Sequence, residues 1–144
     1  MLEQGIQSRA TKHPELKTFG CFFYDILKII EAQGVYSFNE IATSAFLREC
    51  KTLHYIGDDC YIKEQQKVYE LCGGDPKLKY HRLASNVVFV MEGCDYITEK
   101  VKIDKNGNEF THFTAWINGK EWDSLDPARP TNTGYKIRSY RWWA

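Results

Sequence analysis

The chain has 144 residues, 43% of them hydrophobic and 26% charged, a balance that supports one buried core and excludes a disordered chain. Nineteen Lys plus Arg stand against nineteen Asp plus Glu, so no bulk positive field draws it to nucleic acid or to an anionic membrane surface. No apolar run approaches the roughly 20 residues that span a bilayer and no leader-type segment opens the chain, so no membrane partner is expected. Its five cysteines form no CxxC pair, which fits a reduced compartment and a cytoplasmic location.

The opening stretch, MLEQGIQSRATKHPELK, is polar. GCFFYDILKIIEAQG then reads as one helix between Gly20 and Gly34, and Phe22, Phe23, Ile26, Leu27, Ile29 and Ile30 cover so much of its circumference that it belongs deep in the domain. SFNEIATSAFLREC predicts a second helix, with Ser37 and Glu40 at capping-box spacing. A third is expected after Asp58 or Asp59, running through YIKEQQKVYELC to Gly73-Gly74.

Beyond Pro76 the β-branched and aromatic content rises, and strands are expected at NVVFVM (86–91), YITEKVKI from Tyr96, EFTHFTAWI from Glu109, KEWDSLD from Lys120 and YKIRSYRWW near the end. Asn106-Gly107 and Asn118-Gly119 are hairpin turns. The expected fold is a single α+β domain over 1–144, with N-terminal helices, a central helix opening at Cys21, and a C-terminal antiparallel sheet. The loop from Asp126 to Gly134 is placed at a sheet edge or a site rim.

Cys21 in the first turn of the apolar helix faces unpaired amides and the helix dipole, which favour a thiolate, and Gly20 before it has no Cβ to block an approaching substrate. A buried core cysteine is the plain alternative. His112, on the strand leading into Asn118-Gly119, has the chemistry to take the thiol proton and return it to a leaving group, or else simply to pack across strands. A strict two-residue loop at Asn118-Gly119 pairs Ile117 with Lys120, and counting back sets Asp123 on the face of His112 and Asp126 on the other. A bulge, or a bend at Asp126-Pro127, reverses that preference.

Other features are weaker. Cys50 and His54 have helical spacing, but no further ligands are nominated, so neither metal nor cofactor is expected. KLKYHR is a local basic run that reads as a solvated connector rather than a nucleic-acid site. Trp142 and Trp143 in YRWWA either cover a sheet edge or form an aromatic anchor for a protein partner.

The Gly-Cys that opens GCFFYDILKII, followed later by HFTAWINGKEWDSLDP, resembles the papain-like cysteine peptidase superfamily, in particular its compact C39-like peptidases. The second stretch is also similar to the transglutaminase-like branch, where a histidine strand leads through a Gly turn and a tryptophan to Asp-Pro. The resemblance implies a papain-like core with Cys21 as nucleophile, His112 as base and Asp126 as orienter. It also implies an oxyanion-stabilising glutamine ahead of the cysteine, assigned to Gln7, with Gln4 the alternative. The function it implies is hydrolysis of an amide or peptide bond through a thiol acyl-enzyme, with a peptide or cell-wall peptide as substrate and a bacterial or phage source. A catalytically inactive module on the same scaffold, binding or inhibiting through an aromatic surface, is the alternative.

Overall fold

A computed structural model of the chain describes residues 1–10, 13–34, 36–125 and 134–144. After a single 3-10 turn at Ile6–Arg9, α1 (Pro14–Phe19) opens on proline, whose missing N–H costs nothing at a helix start. Gly20 both ends α1 and leads into α2 (Cys21–Ala32). A Cβ on Gly20 would lie 2.6 Å from the Leu16 carbonyl oxygen, so glycine is needed here for the close junction of the two helices. The close junction is a structural reason for glycine here, beside the expected path for substrate.

α2 is buried along nearly its whole length, and Gly34 at φ 78° ends it as expected. α3 (Glu40–Thr52) is capped by Asn39, whose Oδ1 accepts from the Ala42 amide at 2.8 Å, and not by the Ser37/Glu40 box. α4 covers only Gln65–Leu71. The expected start after Asp58 or Asp59 fails because residues 56–62 close on themselves, with Ile56 bridged to Ile62 and the Gly57 amide donating to the Tyr61 carbonyl at 2.8 Å.

Five strands follow: β1 (Tyr80–Ala84), β2 (Tyr96–Ile103), β3 (Glu109–Ile117), β4 (Lys120–Trp122) and β5 (Lys136–Trp143). They form one antiparallel sheet in the order β1-β5-β2-β3-β4. The molecule is therefore α+β, with helices first and an antiparallel sheet after them. Asn118 at φ 52° and Gly119 at φ 77° make the two-residue turn between β3 and β4, and Ile117 pairs with Lys120. β1 lies inside the segment read as a connector. Conversely, 86–91 forms no strand: Val87, Val88 and Val90 are exposed, and the segment is held by Phe89 stacked on Tyr140 at 4.2 Å.

Strand alternation turns Phe113 and Ala115 toward α2, where Phe22 meets Phe113 edge-on at 4.5 Å, and sends His112 and Thr114 to the opposite face. Each fully buried Ile, Leu or Phe here stabilises the fold by about 1.5–3 kcal/mol. Trp143 stacks on Tyr69 of α4 at 4.7 Å and belongs to the core, while Trp142 stacks on His81. β5 lies between β1 and β2, so these rings neither cover a sheet edge nor form a paired exposed anchor. No described helix is long and apolar enough to cross a membrane.

Candidate functional site

β4 ends at Trp122, opposite Ala115, so β3 has no β4 partner at His112 and Phe113. The chain leaving β4 places the carboxylate of Asp123 against the histidine there, with Asp123 Oδ1 2.9 Å from His112 Nε2. Both residues are buried, His112 at 2% and Asp123 at 3% exposure. A carboxylate only accepts, so the ring donates this bond through Nε2. The Leu125 amide also donates to Asp123 Oδ1 at 2.9 Å, fixing the carboxylate from the other side. Asp126, the orienter that the resemblance implies, lies outside the described residues.

Cys21 begins α2 and is 8% exposed. The backbone amides of Phe113 and Phe22 lie within hydrogen-bonding reach of its sulfur, so the cysteine docks on the residue that follows His112 in β3. Among the described residues no hydrogen bond joins the sulfur to the His112 ring. The expected depression of the thiol pKa is not found. Burial first, and the neighbouring carboxyl groups of Asp25 and Asp123 after it, push it up to about 12 against the pull of the two amides.

Asp25, one helical turn beyond Cys21, was passed over in the sequence although it is the lone acid on the buried circumference of α2. It is fully buried, and among the described residues neither carboxyl oxygen has a hydrogen-bond partner. Burial raises its pKa well above the usual carboxyl range, and the charges of Asp123 and Glu121 add to the rise while Lys100 opposes it. The carboxyl is thus held as the neutral acid more readily than an exposed one.

Gln7 is fully buried. Its Oε1 accepts from Ser124 Oγ at 2.6 Å, its Nε2 donates to the Lys17 carbonyl at 3.2 Å, and its backbone amide donates to the Ser124 carbonyl at 2.8 Å. It therefore ties the exit of β4 to the helix just ahead of Cys21. Gln4 is exposed, and its Oε1 accepts from the Asp123 amide at 3.4 Å. Ser124, also fully buried, is a structural member of this cluster that the sequence did not point out.

Cys21 opens onto a cleft of about 450 Å³ between the end of α1, the 59–62 turn and the sheet, where Glu99, Arg138 and Arg141 form the floor. Glu99 takes Arg138 at 3.1 Å, Arg141 at 3.2 Å and the Ser139 hydroxyl at 2.8 Å. These partners hold its carboxyl below the usual range in spite of burial. Among the described residues no group of three or more His, Cys, Asp or Glu is arranged to hold a metal ion, and Cys50 is buried while His54 is exposed.

Residues 4–144 match the model of a family described as a protein of unknown function, DUF261, and the chain belongs to that family. No curated protein and no solved structure matches it.

Proposed function

We propose that the chain is a cysteine-dependent hydrolase of amide or peptide bonds, its helix-on-sheet arrangement used in the papain-like manner. The observation that supports this reading most is the Asp123–His112 pair on the residue preceding Phe113, whose backbone meets the Cys21 sulfur. The proposed reaction needs the His112 ring, which strand alternation sends to the face of β3 away from α2, to turn toward the sulfur as substrate enters; Nδ1 then takes the thiol proton and the sulfur attacks the carbonyl carbon. His112 returns the proton to the leaving amine as the C–N bond breaks, and water then cleaves the thioester with His112 again as base.

Asp123 takes the orienting role by its hydrogen bond, in place of Asp126. The Cys21 backbone amide and the second N–H of the Gln7 amide are the proposed oxyanion donors. The neutral thiol of the free protein favours the alternative, a catalytically inactive binding module on the same scaffold.

Turnover of a panel of peptide and cell-wall peptide substrates tests the reading. Replacing His112 or Asp123 with Ala should lower kcat by about 100-fold or more with a smaller change in KM, as loss of a positioned base implies. Equal kcat in wild type and His112→Ala would overturn the assignment.

A further inference from the structure

The cleft in front of Cys21 has an electrostatic design that the proposed hydrolysis does not require. β2 and β5 pair regularly through Ile97↔Arg141, Thr98↔Tyr140 and Glu99↔Ser139, and the next pair is Lys100↔Ile137, so Arg138 is the extra residue of a bulge. Without the bulge, Arg138 and Arg141 would point to opposite faces, because three residues separate them on a strand of period two. With it, Arg138 reaches Glu99, Thr111 and Glu109, all on the face that carries Arg141 and the Cys21 cleft. The guanidinium of Arg141 also lies 5.0 Å from the Phe22 ring and 5.1 Å from the Phe113 ring, the two residues whose amides meet the cysteine sulfur.

Arg82, outside the cleft lining, approaches the same buried Glu99 at 3.9 Å, so three guanidiniums gather on two carboxylates, Glu99 and Glu109, and two of them, Arg138 and Arg141, line the cleft. Glu109 is at the rim, with its side chain 49% exposed. A guanidinium has five N–H donors, and among the described residues the contacts with Glu99, Glu109, Thr111 and Ser139 leave both Arg138 and Arg141 with donors to spare. The acid on the facing wall, Asp59, accepts from the Tyr61 amide within its own turn at 3.1 Å. One wall is thus cationic and fixed, the other weakly acidic, with the cysteine between them.

We propose that this cleft takes a substrate carrying a carboxylate beside the scissile amide, gripped by Arg138 and Arg141 while the carbonyl lies over Cys21. This rests on the hydrolase reading, whose substrate class it names. A fork of N–H donors suits a planar carboxylate, whether a free chain terminus or an acidic side chain.

Alkylation of Cys21 in the full chain by iodoacetate and by iodoacetamide, followed by peptide mass analysis, tests it. In both reactions the sulfur displaces iodide, so the ratio of the two rates cancels any change in thiolate fraction and reports only the charge of the reagent. Arg138→Gln, at a half-exposed position, should lower the iodoacetate to iodoacetamide ratio about tenfold, as loss of one charge-assisted hydrogen bond implies. Arg138→Lys should fall between the two, keeping charge without the fork. N-acetylglycine and N-acetylglutamic acid α-amide should each slow iodoacetamide labelling of Cys21 more than N-acetylglycinamide does, and the stronger of the two identifies a terminal or a side-chain carboxylate.

A ratio unchanged by Arg138→Gln, with Cys21 labelled by both reagents, would overturn the carboxylate subsite and leave the hydrolase reading standing. Failure of both reagents to reach Cys21 would overturn that reading and this one with it.

Discussion

Two buried carboxyl groups near Cys21, Asp25 on α2 and Glu99 on β2 in the lining of its cleft, are treated in opposite ways by the fold. Among the described residues Asp25 has no hydrogen-bond partner for either oxygen, and burial, with the field of two other acids, raises its pKa. Glu99 has two close arginines and a serine hydroxyl, and its pKa is lowered although burial pushes it up. Desolvation acts on both, and the partners decide the sign. The consequence is a cleft with a fixed ionic wall and, behind the cysteine, a region that resists negative charge. The same region, together with burial, pushes the Cys21 thiol pKa up.

The largest effect should come from breaking the satisfied side. Glu99→Ala leaves Arg141 buried without its anion and should cost about 3–5 kcal/mol in urea unfolding. Gln at the same position, which keeps an acceptor, should cost less. The pH dependence of this group has a definite sign: a carboxyl with a lowered folded pKa contributes stability above its unfolded value, and that contribution is lost as pH falls through the folded pKa.

Next in size is the junction ahead of the cysteine. Gly20→Ala places a Cβ 2.6 Å from the Leu16 carbonyl oxygen, and the backbone shift that follows should cost about 1–3 kcal/mol, read as a lowered Tm.

Asp25 should show the opposite pH behaviour to Glu99. Its folded pKa is raised, so its contribution is complete below the unfolded value and is lost as pH rises through the folded one. Asp25→Asn should flatten that decline, so the variant gains stability relative to wild type as pH is raised from the acid range toward neutrality. A stability difference that does not vary with pH would show that Asp25 titrates as an ordinary carboxyl. Replacing the base or its orienter leaves a buried partner without its hydrogen bond, so it should cost about 1–3 kcal/mol of stability as well as lower turnover per folded molecule.

The same contrast explains what was legible in the sequence. α2 and the β3–β4 hairpin could be read directly, because an all-round apolar helix and an Asn-Gly turn between alternating strands are local signals. Loop length at Asn118-Gly119 was enough to place Asp123 on the face of His112, where the hydrogen bond is found. β1 was missed because four of its five residues are exposed and it carries no apolar alternation. The opposite error at 86–91 came from an apolar run whose valines face solvent. Arg138 and Arg141 could not be brought together from sequence, since a bulge is set by pairing with a distant strand and has no residue signature here. The raised thiol pKa was likewise illegible: a helix start is visible in the sequence, whereas burial against Asp25 and Asp123 depends on packing.

Trapping of an acyl group on Cys21 tests the central claim most directly. Wild type, Cys21→Ser and His112→Ala are incubated with peptide, cell-wall peptide and thioester substrates, quenched in acid, and the modified peptide is identified by mass. The hydrolase reading predicts a thioester adduct on Cys21 alone among the five cysteines, no thioester adduct in Cys21→Ser, and strongly slowed formation in His112→Ala. A folded protein that never acylates Cys21 across the panel would contradict it and leave a binding module on this scaffold.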